Sequence, residues 1–65
     1  MDSQELKQAL LDGSPVSCNG INYKCVSAII YRAANGKIFT AAELLDKNRN
    51  SVSIVEPARV ELTKI

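Results

Sequence analysis

Polar and apolar positions alternate with two different periods along this chain. Between residues 2 and 12, Leu6, Ala9 and Leu10 fall at helical spacing and Leu11 widens the stripe, which predicts an amphipathic helix with one buried face. Both ends carry matching signals. Asp2 and Glu5 form a capping-box pattern at the positive end of the helix dipole, and Gly13 ahead of Pro15 is the expected left-handed stop. From Pro15 the period shortens to two. Pro15 to Cys18 reads as a short first strand, Asn19-Gly20 as a hairpin turn, and Ile21 to Ala33 as a long second strand rich in β-branched and aromatic residues. Asn35-Gly36 turns the chain into a third strand, Lys37 to Asp46. The polar turn Lys47-Asn48-Arg49-Asn50 leads to a fourth, Ser51 to Val55. Pro57 stops that strand, and residues 59–63 alternate as a fifth, with Val60 and Leu62 facing in.

The central hairpin admits two registers. A three-residue loop, Ala34-Asn35-Gly36 with Gly36 as a bulge residue, sets Tyr31 opposite Phe39, Val26 opposite Leu44, Ala28 opposite Ala42 and Lys24 opposite Asp46. A two-residue loop sets Ala28 opposite Glu43 and Cys25 opposite Asp46 and gains no aromatic or charge pair, so the bulged loop is preferred. In either register the middle of the hairpin is apolar on both faces. Val26, Ile30, Ile38 and Leu44 lie on one side, and Cys25, Ile29, Tyr31, Phe39 and Leu45 on the other. One short helix cannot cover both. The sheet is therefore expected to curl into a small barrel, to bury its second face against another copy of the chain, or to do both, with Ile29, Tyr31, Phe39 and Leu45 as the expected interface. The order of elements looks like a small five-stranded, antiparallel Src-homology-type barrel, or a strongly curled sheet, behind an N-terminal helix. The expectation is one α+β domain over 1–65, helical over 2–12 and antiparallel β over 15–64.

Composition narrows the chemistry. At 65 residues, 46% of them apolar and 23% charged, the chain is one small folded domain without room for an elaborate catalytic cleft. Its net charge of +1 supplies no field for drawing in a polyanion or an anionic membrane, so a nucleic-acid role would rest on a local patch. There is no histidine, which removes the usual general base and the Ser-His and Cys-His nucleophile pairs. The two cysteines, Cys18 and Cys25, are too few for an all-cysteine zinc site and are separated by the Asn19-Gly20 turn. Both are expected to be reduced, with no metal and no cofactor. No run approaches the length of a membrane span or a signal peptide, and the expected location is the cytoplasm.

Two sets of polar residues could meet a ligand. The segment Asp46 to Ser51 offers Lys47, Asn48, Arg49, Asn50 and Ser51 as a rim able to grip phosphate; a solvated β-turn would use the same residue types. Lys24 and Arg32 lie on the second strand, where Arg32 could stack on a ligand ring or shield an apolar strand end. If the ligand is anionic, its expected contacts are Lys24, Arg32, Lys47, Asn48, Arg49, Asn50 and Ser51. Arg32 sits near the opposite end of the hairpin from the rest, so an antiparallel dimer would be the compact way to unite them. Glu43, Asp46, Glu56 and Glu61 form no acid-base motif, and Gly13, Gly20 and Gly36 sit at caps and turns rather than in a phosphate loop. The expectation is a non-enzyme.

The runs Val26 to Arg32, Asn35 to Lys37, Glu43 to Lys47 and Asn50 to Val52 ahead of Pro57 resemble short uncharacterised proteins of phages and mobile elements of Gram-positive bacteria. The front end, Leu6 to Tyr23, is similar to the start of small phage proteins that sequester nucleotide immune signals. It lacks the tryptophan-containing motif of one such group, the Thoeris anti-defence sponges. Together with the small size, the absent catalytic groups and the two-sided apolar hairpin, the resemblance leads to the expectation of a phage-type homo-oligomeric binding protein in the bacterial host cell. Such a protein would antagonise a defence system by stoichiometric capture of a nucleotide signal or a defence protein. The alternative class is a nucleic-acid-binding small barrel, an accessory protein or regulator of a mobile element.

Overall fold

The computed structural model describes residues 1–48 and 50–63. The helix α1 spans Ser3–Asp12 behind the expected cap: the Glu5 N–H donates to Asp2 Oδ1 at 2.8 Å and the Asp2 N–H donates to Glu5 Oε1 at 3.2 Å. Gly13, at φ 66°, ends the helix by donating its N–H to the Ala9 carbonyl. A ten-residue helix is marginal alone. Packing holds it, through Leu6 and Ala9, which are buried against the sheets.

Six strands follow among the described residues, in two antiparallel three-stranded sheets. The first sheet is ordered β2 (Ile21–Tyr23), β1 (Val16–Cys18), β6 (Val60–Leu62), and the second β3 (Cys25–Ala34), β4 (Lys37–Leu45), β5 (Val52–Val55). A 3₁₀ turn over Pro57–Arg59 joins β5 to β6. The expected class, α+β with an N-terminal helix and antiparallel strands, is what the structure shows. Five strands closing a barrel is corrected to six strands in two sheets. The long second strand divides at Lys24, where the chain leaves the first sheet and the Lys24 N–H donates to the Leu45 carbonyl at 2.8 Å. The β3–β4 ladder ends at the Cys25–Leu45 pair, so Lys24 and Asp46 lie just beyond its last paired residues.

One cluster forms the core: Leu6, Ala9, Val16, Cys18, Val26, Ala42, Leu44 and Val60, with Met1, Tyr23, Ile29 and Val55 packed around it. The Met1 nitrogen donates to the carbonyls of Pro57 and Val60, at 2.8 and 3.0 Å, and so ties the start of the helix to β6. Val60 faces in as expected. Leu62, on the edge strand β6 opposite the fully buried Val16, is nonetheless 55% exposed.

The register of the β3–β4 hairpin differs from expectation in an informative way. Ala34 pairs with Lys37 across a two-residue Asn35-Gly36 loop, and both loop residues take positive φ (53° and 76°). The Asn19-Gly20 turn has the same pattern, with φ of 52° and 79°. This type I′ geometry matches the twist of paired strands and needs no third loop residue. The extra residue lies further down, as a bulge between Val26 and Ala28, where Ser27 Oγ donates to the Glu43 carbonyl at 3.2 Å. Val26 therefore faces Leu44, as the three-residue loop required. Ala28 faces Glu43, as the two-residue loop required, and Tyr31 faces Thr40 rather than Phe39.

The bulge also exchanges faces. Directly paired residues share a face, and Ala42 and Leu44 are fully buried, so Val26, Ile29, Tyr31 and Ile38 lie on the core side with them. Cys25, Ile30, Phe39 and Leu45 lie on the outer side. The expectation of one face shared by Ile29, Tyr31, Phe39 and Leu45 is corrected accordingly: Ile29 and Tyr31 are on one side, Phe39 and Leu45 on the other.

Cys18 and Cys25 are both free and lie in different sheets. Cys18 is a core residue and Cys25 is half-buried. Cys18→Ser is expected to destabilise by about 1–3 kcal/mol, since it buries a hydroxyl in apolar surroundings, and Cys25→Ser by less. Urea unfolding of the two variants measures the difference, and equal losses would contradict the assignment of Cys18 to the core.

Candidate functional site

The polar set expected to meet an anion is divided by the fold. Lys24 stands at the junction of the two sheets, held against the end of β4 by its bond to Leu45. The turn after β4 is closed by the Asp46 N–H donating to the Ser51 carbonyl at 3.0 Å, which places Lys47, Asn48, Asn50 and Ser51 at that same end of the hairpin, all four exposed. Arg49 lies outside the described residues. Arg32, opposite Phe39 on the outer side, is eight residues along the chain from Lys24. At about 3.3 Å per residue the two are roughly 26 Å apart. One chain thus unites Lys24 with the turn but not with Arg32, whose neighbours are Phe39 and, one row on, Lys37.

A separate open groove of about 650 Å³ lies beside the first sheet and none of those residues lines it. Its wall includes Ser17, Asn22 and Glu61, which form one cross-strand row because Ser17 pairs with both others, together with Glu5 from the helix. Two carboxylates make that wall unsuited to a nucleotide. The row was legible as the polar middle residue in Val-Ser-Cys, Ile-Asn-Tyr and Val-Glu-Leu, but only the pairing of β1 with β6 brings it together. Among the described residues, no group of three or more His, Cys, Asp or Glu is placed to hold a metal, and no helix is long and apolar enough to cross a membrane.

The feature that stands out is apolar. The far half of the β3–β4 hairpin extends past the helix and core, and the molecule measures 39 Å along its longest axis against 24 and 21 Å across. On its core side Ile38 is 73% exposed and Tyr31 60%; on its outer side Phe39 is 53% exposed. Further along the outer side, Val52 and Ile54 of β5 are also largely open. A scatter of single exposed apolar residues needs no explanation, but here two groups face opposite ways on one sheet: Tyr31 and Ile38 on the core side, Phe39, Val52 and Ile54 on the outer side. A family model, a curated protein or a solved structure could give either group a precedent, and no match to this chain is found in any of the three comparisons.

Proposed function

We propose that this chain is a small phage-type binding protein of the bacterial cytoplasm, assembled as a homodimer, that antagonises a defence system by stoichiometric capture instead of turnover. The projecting hairpin carries this reading. Its exposed Tyr31 and Ile38 form an apolar edge that a protein target can cover, whereas the cations that would grip a nucleotide are split between the two ends of the hairpin. A defence protein is therefore favoured over a nucleotide signal as the captured species. Apolar anchors of this kind carry most of the energy in protein interfaces.

The Arg32–Phe39 pair with Lys37 beside it supports a second reading, single-stranded nucleic acid stacked on Phe39. The two readings separate on salt. Capture through an apolar surface weakens little as salt is raised, whereas nucleic-acid binding falls steeply because the counterions it releases gain less entropy in more concentrated salt. The deciding experiment expresses the chain in bacteria carrying individual defence systems and challenges them with phage. It then identifies by mass spectrometry what copurifies with the chain at high salt. Restored infection with one defence protein bound in fixed ratio is the expected result. Unchanged protection in every strain, or a nucleic acid lost at high salt, would overturn the reading.

A further inference from the structure

The outer side of the second sheet has a charge pattern that is complementary to itself. Along it the cross-strand rows are Cys25–Leu45–Val52, Ala28–Glu43–Ile54, Ile30–Ala41 and Arg32–Phe39. Over these rows the surface is apolar apart from one carboxylate and one guanidinium, which stand two rows apart on either side of the Ile30–Ala41 row; one further row, Ala34–Lys37, adds a lysine at the turn end of the hairpin. We infer that a second copy of this chain covers this face, related by a two-fold axis that lies in the interface and crosses the strands at the Ile30–Ala41 row. The inference rests on the homodimer of the proposed reading and specifies its surface.

Among aligned face-to-face packings through a two-fold axis in the interface, the strands of the two sheets run either antiparallel or parallel to each other. With the axis along the strands, each row meets its own copy and Glu43 faces Glu43, a like-charge contact inside an apolar face. With the axis across the strands, each Ala28–Glu43–Ile54 row meets an Arg32–Phe39 row. The methyl of Ala28 leaves room for the incoming guanidinium beside Glu43, and the Phe39 ring lies against Ile54. Both contacts occur twice, as an isologous interface requires. Glu43 and Phe39 are four residues apart on β4, about 13 Å. Each row is thus about 7 Å from the axis, and the two sheets would stand about 10 Å apart, within reach of an extended Arg–Glu pair. The arrangement leaves Tyr31 and Ile38, on the opposite side, open for a target.

Sedimentation of the intact chain from low micromolar to millimolar concentration is expected to show a monomer–dimer equilibrium. In a sample of mixed labelled and unlabelled protein, NMR should join the Phe39 ring to Ile54 methyls between chains. Glu43→Arg and Arg32→Glu should each weaken the dimer at least about tenfold by placing like charges across the interface, and the double variant should recover it. Both residues face away from the core, and circular dichroism confirms that each variant is folded. A wild-type monomer at every concentration would overturn both this inference and the homodimer. A dimer indifferent to both single changes, or a folded double variant that fails to recover, would overturn the inference while leaving the homodimer standing on another surface. The intermolecular NMR contacts decide the matter even if a charge variant fails to fold.

Discussion

Leu44→Ala is expected to lower the thermal midpoint by about 15 °C or more, the largest single effect this fold offers. Leu44 is fully buried near the C-terminal end of the central strand of the second sheet, paired on one side with Val26 and on the other with Ser53. Truncating a buried leucine costs about 3–5 kcal/mol through lost transfer energy and the cavity left behind. A domain of this size has a total stability of roughly 3–10 kcal/mol, and each kilocalorie moves its midpoint by about 4–8 °C. Among the described core residues Leu6 is the one other leucine and the rest are valine, alanine and cysteine, so little bulk is at hand to fill the cavity. Calorimetry of the wild type and the variant checks this, and a fall of only a few degrees would mean that the two sheets do not close over Leu44.

The second large effect is on binding and leaves stability nearly untouched. Replacing Tyr31 and Ile38 together by threonine removes both exposed apolar groups from the core side of the hairpin while keeping residues that suit a strand. Exposed positions change stability by within about 0.5 kcal/mol each. Loss of interface anchors costs about 2 kcal/mol or more, roughly thirtyfold in affinity. Titration calorimetry against the captured target should show that loss, with an unchanged unfolding midpoint. Normal affinity in the double variant would move the target site elsewhere.

The contrast between what was legible in the sequence and what was not follows the range of the signals. The capping box at Asp2 and Glu5, the Gly13 stop and both Asn-Gly turns are specified within a few residues, and each is found where the local pattern puts it. The division of the second strand at Lys24 depends on a bond to Leu45, far along the chain, and no local feature of Tyr23-Lys24-Cys25 signals it. The bulge was inferred from the apolar pairs it permits, but the same pairing of Val26 with Leu44 arises whether the extra residue sits in the loop or at Ser27. Only the positive φ of Asn35 settles which. At the candidate site, the grouping of Lys24 with the turn after β4 was readable from hairpin register. The face on which Tyr31 and Ile29 emerge was not, because it inverts with the position of one residue.

That one residue has a consequence for how such a chain can vary. The Val26–Leu44 pair below Ser27 keeps one register, and every pair from Ala28–Glu43 up to the Asn35-Gly36 turn keeps the other, including Ile29–Ala42, which the core also holds. The bulge acts as a slip joint between the two, so the end of the hairpin beyond Ile29 and Ala42 answers to its own turn. The projecting end, from Tyr31 to Thr40, can thereby be resurfaced without touching a single member of the core cluster.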